Sequence, residues 1–182
     1  MAKIEKQIRN KTTACSIQIT GGLISKQHLR IYNKGPGQGN PLLLAKEVAT
    51  LDMYSRGRFQ LGIGAGWLRE ESEIMGVDFA HRWTQTRESV LAMKELWTKT
   101  ESEYHGNYYD FPPVRSFPKP AQQPHPPVLL GGKARNVFKR VVEWADGWMP
   151  TRVSAEEIRH GRETLTRLAT EAGRDPDSIE TM

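Results

Sequence analysis

Two glycine turns carry the strongest chemical signal in this sequence. The first is Gly62-x-Gly64-x-Gly66, which closes the alternating apolar run Arg58 to Ile63 (RFQLGI). Glycines at a strand end let a backbone approach a flat or phosphorylated ligand closely, because no Cβ intervenes. The run is not the dinucleotide fingerprint G-x-G-x-x-G: Trp67 stands three residues after Gly64, and no acid lies at the ribose position. No Gly-Lys-Ser/Thr follows, so it is not a Walker loop either. The second turn is Gly131–Gly132, after the apolar run PPVLL and just before a helix. Free backbone N–H groups and the positive end of a helix dipole make such a spot a phosphate cradle, and Lys133 and Arg135 add positive charge beside it. Each turn taken alone is equally well read as a plain strand-to-helix connection. Together, at the C-terminal ends of parallel strands, they face one rim, where ligands of α/β sheets bind.

Other chemistries find little support. The histidines (His28, His81, His105, His125, His160) show neither H-x-x-x-H nor H-E-x-x-H spacing, so no metal site is expected. No serine occupies a G-x-S-x-G elbow. Glu70, Glu71 and Glu73 cluster after the first turn, where carboxylates ordinarily complement a helix dipole. The lone Cys15 cannot form an intrachain disulfide and has no activating neighbours in sequence. No residue is singled out as catalytic.

The elements that would position the turns can be read around them. Asn40 as N-cap and Pro41 at the first helical position predict a helix to about Tyr54, with Leu43, Leu44, Val48, Leu51 and Tyr54 as its apolar face. RFQLGI predicts a strand, and a short helix follows over Glu70 to Met75. An amphipathic helix runs from about Trp83 to Trp97, with Trp83, Val90, Met93 and Trp97 on one face. The aromatic, proline-rich stretch from Ser102 to Pro127 predicts an extended excursion; between Tyr104 and Phe117 it either reaches over the rim or packs as a surface flap. PPVLLGG predicts a buried parallel strand, Ala134 to Ala145 a helix, and DGWMP a further strand. Ser154 with Glu157 forms a capping box that opens a helix ending near Gly173, and the last residues begin one more strand. Strands alternating with helices predict a parallel sheet, either a βα barrel or a doubly wound sheet.

Composition places the chain among globular proteins, with 37% hydrophobic and 26% charged residues among its 182. No apolar run approaches the roughly 18 residues that cross a bilayer and the start has no apolar signal core, so no membrane association is expected and the cytoplasm is the default compartment. The net charge of +5 divides unevenly: residues 1–39 carry +6 and residues 40–182 carry −1. The excess lies in Lys3, Lys6, Arg9, Lys11, Lys26, Arg30 and Lys34, without interleaved aromatics or a following recognition fold. A solvated arm, with no nucleic-acid partner, is the expectation.

The stretch NPLLLAKEVATLDMYSRGRFQLGIGAGWLREE resembles the helix, strand and glycine turn of the bacterial luciferase-like monooxygenase superfamily. PKPAQQPHPPVLLGG, followed by DGWMP, continues the match, which is strongest with the branch of deazaflavin-dependent oxidoreductases and covers Asn40 to about Asp177. The resemblance implies an α/β fold of the (β/α)8 TIM-barrel type, holding FMN or the deazaflavin coenzyme of the F-420 type at its C-terminal rim. It places Gly64, Gly66, Trp67 and Glu70 beside the ring, and Gly131, Gly132, Lys133 and Ala134 on the phosphate loop. Relatives often carry serine where Ala134 stands, which leaves the backbone N–H groups and Lys133 to hold the anion. Arg82 and Glu71 also match, with helix-end support as the expected role. The implied chemistry is two-electron transfer from the reduced cofactor to oxygen or a small organic substrate; the alternative is a non-catalytic remnant or partner subunit that keeps the scaffold. A closed barrel of this kind takes about 250 residues. Residues 1–39 do not resemble the opening strands, and only three or four strands are legible. A partial barrel over residues 40–182 is therefore expected, and its open edges predict a homo-oligomer.

Overall fold

The computed structural model describes residues 41–74 and 78–182. The basic arm, Cys15, the Asn40 cap and Met75 lie outside the described residues. Helix α1 spans Pro41–Ser55, strand β1 Leu61–Ile63, helix α2 Arg69–Ile74 and helix α3 Arg82–Thr98. A hairpin of β2 (Ser102–His105) and β3 (Asp110–Val114) follows. The chain then forms β4 (Val128–Gly131), α4 (Val137–Trp144), β5 (Gly147–Met149), α5 (Ala155–Glu171) and β6 (Glu180–Thr181).

The four main strands are parallel and lie in the order β1-β4-β5-β6, which follows the chain without reversal. A doubly wound sheet reverses its strand order at a switch point, whereas a barrel does not. The sequence left these two windings open; the strand order selects the barrel type. Curvature agrees. Gln60, just before β1, donates from Nε2 to Glu180 Oε2 on β6 at 2.7 Å. Three inter-strand gaps separate those edges, about 14 Å in a flat sheet. The hydrogen bond closes only because the sheet is concave on that face.

The two faces of this arc differ. Leu61, Val128, Leu130 and Trp148 pack into one core with Val48, Val90, Met93, Leu96, Val141 and Leu165 of the helices. Trp148 meets Phe138 edge-on, at 4.9 Å between ring centroids. It occupies the space that a side chain on Gly161 of α5 would need, since a Cβ there would lie 2.4 Å from the indole. On the concave face lie Gly62, Leu129, Gly131, Gly147 and Met149, of which Leu129, Gly147 and Met149 are buried.

The helix α1 forms where the sequence predicts it but buries a different stripe. Ala45, Val48, Ala49 and Asp52 face inward, while Leu43 and Tyr54 are 60% and 78% exposed. The alanines let the helix sit close against α3, where the Trp97 indole N–H donates to Ala45 O at 2.9 Å. Leu44 and Leu51 flank that contact, half-buried. The helix ends in a Schellman motif: Gly57 N–H donates to Asp52 O and Arg56 N–H to Met53 O, with Arg56 and Gly57 both at positive φ. Strand β1 starts three residues later than RFQLGI suggests. Its neighbour there is Pro126–Pro127, which has no N–H to offer a ladder, so pairing begins with Leu61 N–H donating to Pro127 O. Helix α4 likewise starts at Val137 instead of Ala134, because Asn136 takes a left-handed backbone (φ 67°) that ends the preceding turn.

The excursion after α3 packs as a surface flap. Its hairpin lies along α3, and the Glu88 carboxylate accepts from Asn107 N–H (3.2 Å) and Tyr108 N–H (2.8 Å) at the hairpin tip. The return segment is pinned by the buried Asp52, whose carboxylate accepts from the backbone and side-chain amides of Gln122 at 2.8 and 2.7 Å. No helix among the described residues is long and apolar enough to cross a membrane.

Candidate functional site

Parallel pairing sets Leu61 to Ile63 beside Val128 to Leu130, so the two glycine turns emerge side by side at the C-terminal rim. The opposite end of the sheet is stitched for stability. There Asp146 accepts from Val128 N–H at 2.8 Å and pairs with Lys94 at 3.2 Å, and the Arg174 guanidinium donates to Val141, Val142 and Ala145 carbonyls at the end of α4.

The glycines of the rim divide by cause. Gly66 and Gly132 have φ of +80° and +84°, a left-handed backbone that side chains disfavour. Gly62 makes room for Met149, whose Cε lies 2.8 Å from where a Cβ would stand. Gly64 has neither reason: its φ is not positive, and a Cβ there would meet nothing within 4 Å. Gly131 is close to that case, since a Cβ would make only ordinary contacts, 3.4 Å to Ile63 O and 3.7 Å to Met149 Cε. Packing among the described residues therefore does not account for glycine at positions 64 and 131, which stand at the ends of adjacent strands at the same rim.

Around Gly64 and Gly66 the structure brings together Trp67, Glu70 and the start of α2. Trp67 is 83% exposed and Glu70 is exposed beside it. Ala65 is buried and anchors the turn between the two glycines. Arg82 donates from Nε to Gly66 O (3.3 Å) and from Nη1 to Phe79 O (2.7 Å), with its guanidinium 3.7 Å above the Phe79 ring. It ties the turn to the start of α3, the supporting role expected for it. Glu71 lies on the exposed side of α2.

The second turn is clamped at Gly132. Its N–H donates to Met149 O at 3.1 Å, and its carbonyl accepts from the Trp148 indole N–H at 2.8 Å. Val137 N–H folds back to Ala134 O. The N–H groups of Lys133, Ala134, Arg135 and Asn136 have no protein partner among the described residues. Ala134 is exposed and adds no hydroxyl. Lys133 is engaged elsewhere: its Nζ donates to Glu157 Oε1 (3.1 Å) and to Arg152 O (3.3 Å). The Ser154 N–H and then the Lys133 ammonium hold the Glu157 carboxyl below its ordinary value. An anion at this turn would meet backbone N–H groups, with Lys133 as lateral positive charge. Sequence reasoning missed Trp148 and Met149. Both were read only as strand residues of DGWMP, and the clamp on Gly132 depends on a pairing register that no spacing reveals. No group of three or more His, Cys, Asp or Glu side chains with metal-binding geometry occurs among the described residues.

Comparison with known proteins agrees with this geometry. Residues 36–182 match the family model of luciferase-like monooxygenases. The chain is 41% identical over 142 residues to an uncharacterized protein of Mycobacterium tuberculosis, covering 77% of this chain and 49% of that protein. It is 34% identical over 115 residues to the FMNH2-dependent dimethylsulfone monooxygenase of Pseudomonas putida, covering 60% of this chain and 32% of the monooxygenase. The solved coenzyme F420-dependent tetrahydromethanopterin reductase of Methanopyrus kandleri superposes with a TM-score of 0.72 at 24% identity, over 87% of this chain and 50% of that one. The chain spans about half or less of the length of the relatives it matches.

Proposed function

The chain belongs to the luciferase-like monooxygenase family, and on that premise we propose that it binds FMN or the F-420 type deazaflavin at the rim formed by Gly64 and Gly131 and serves two-electron oxidoreductase chemistry there. The observation that carries the reading is the pair of glycines without an internal cause. A flat ring laid against β1 and β4 would need the space that side chains at 64 and 131 would fill. Among the described residues nothing lies within 4 Å of a Cβ at 64, and a Cβ at 131 would make only ordinary contacts.

The residues present fit such a group. Gly64 and Gly66 would take the ring edge, with Trp67 and Glu70 at its open side. The backbone N–H groups of Lys133, Ala134, Arg135 and Asn136, just ahead of α4, would meet the phosphate. Gly131 and Gly132 would leave room for its approach, and Lys133 Nζ would add charge from the Glu157 side. When bound, FMN or the deazaflavin supplies the two-electron transfer, to oxygen or to a small organic substrate. The chain's own part is to hold and orient. The Trp148 and Met149 contacts fix the Gly132 peptide, and Arg82 fixes the Gly66 turn, so neither loop must reorganise when a ligand arrives.

Titration of the purified protein with FMN and with the deazaflavin, followed by fluorescence quenching, should give saturable binding of at least one. Absence of saturation with both overturns the proposal. Saturable binding without oxidation of any reduced cofactor would identify a partner subunit that keeps the scaffold and not the turnover.

A further inference from the structure

Met149 ends β5 on the concave face, paired in register with Gly131. Its side chain does not project into the open arc. It lies along the sheet, across the bare backbone of Gly131 on β4, and reaches β1, where its Cε would stand 2.8 Å and its Sδ 3.4 Å from a Cβ on Gly62. Gly62 thus makes room for the end of the thioether, which passes Gly131 at ordinary contact distance (3.7 Å from where a Cβ would stand) in a slot between the two strands. β1 and β5 are alternate strands of the arc, and alternate strands share a layer in a barrel of this type. Met149 and Gly62 therefore close the last layer of the arc, at the rim that carries Gly64 and Gly131. Only 7% of Met149 is exposed, so the slot is filled.

Resting on the ring site proposed above, we propose that Met149 is a positioning residue: its thioether, laid flat in the Gly62–Gly131 slot, is the floor against which a bound flavin or deazaflavin ring rests and which sets the ring's depth in the arc. The chemistry suits the position. A polarizable thioether makes favourable contacts with aromatic rings and adapts to irregular space. A side chain standing upright from position 149 would occupy the volume that Gly64 and Gly131 leave free. Glycine at 62 is what lets it lie down.

The test uses the visible spectrum of bound FMN and the affinities of FMN and riboflavin, which share the ring and differ in the phosphate. Gly62→Ala places a methyl group where Met149 Cε lies and lifts the thioether toward the ring. It should weaken both ligands by about tenfold and shift the bound ring's absorption band. Combining it with Met149→Ala removes the lifted atoms and should restore most of the lost affinity while leaving the band shifted, because the ring then has no thioether to rest on. Met149→Leu keeps apolar volume but cannot span the slot, and should shift the band without a comparable loss of FMN affinity. If the unmodified protein binds FMN but the band and the riboflavin affinity stay the same in Gly62→Ala and Met149→Leu, the floor assignment is overturned and the ring site stands. Failure of the double variant to restore affinity also overturns it. If the unmodified protein binds neither FMN nor the deazaflavin, the ring site itself falls, and the floor with it.

Discussion

A methyl group separates Gly64 from Gly66 in what each would tolerate. At Gly64 an alanine has a permitted backbone and open space, so Gly64→Ala should change unfolding free energy by less than about 0.5 kcal/mol, as at other unencumbered positions. At Gly66, with φ +80°, the same change should cost about 1–2 kcal/mol. If a ring rests on β1, the order reverses for binding: Gly64→Ala should weaken FMN at least tenfold in a fluorescence titration while its thermal midpoint holds. A Gly64→Ala protein that binds FMN as well as the unmodified chain would remove the ligand explanation for that glycine. The Trp148 indole gives a second residue-scale test. Trp148→Phe keeps most of the ring but loses the donor to Gly132 O, a hydrogen bond worth about 1 kcal/mol. The anion turn should loosen, with FMN weakened more than riboflavin, since only FMN carries the phosphate.

Among the elements, α5 was the most legible from sequence, whereas α1 was legible in its extent and only in part in its buried face. Ser154 and Glu157 announce the start of α5 because the capping box is a local device, complete within four residues. The structure shows both halves: Glu157 N–H donates to Ser154 Oγ at 3.1 Å, and Ser154 N–H donates to Glu157 Oε2 at 2.7 Å. The face of α1 is not local. Of the expected stripe, Val48, Leu44 and Leu51 meet the core while Leu43 and Tyr54 do not, because α3 approaches closely enough to select Ala45 and Ala49, and that choice is made by the partner. The glycine turns were legible as positions; their causes were not, because φ and the reach of Met149 exist only in three dimensions. The capping box also sets a pH dependence. Glu157 is held below its ordinary 4.5 by Ser154 N–H and by Lys133, so its contribution is present above that value and is lost as pH falls through the lowered one. Ser154→Ala should cost about 1 kcal/mol at neutral pH. The difference in thermal midpoint between the unmodified chain and Glu157→Gln should be largest near pH 7 and shrink as the pH is taken well below 4.5. A difference that grows on acidification would contradict the assignment.

At the scale of the molecule, the arc of four parallel strands has an unusual surface balance. Parallel sheets occur with both faces covered, because βα crossovers place their helices there. Here α1, α3, α4 and α5 pack on the convex face, while Gly62, Leu129, Gly131, Gly147 and Met149 line the concave one outside that core. The outer edges of β1 and β6 have no strand partner among the described residues. Leu43 and Tyr54 add exposed apolar surface on α1. Unpaired edges and exposed apolar flanks are templates for association. We propose on these grounds that the 182-residue chain self-associates. Light scattering coupled to size exclusion at micromolar concentration should give a mass that is a multiple of 20.7 kDa. Tyr54→Lys and Leu43→Lys, both on the exposed side of α1, should shift that distribution toward the monomer without lowering the thermal midpoint, since neither side chain contributes to the core. A single 20.7 kDa species across the accessible concentration range would show instead that the concave face and both edges are satisfied within one chain.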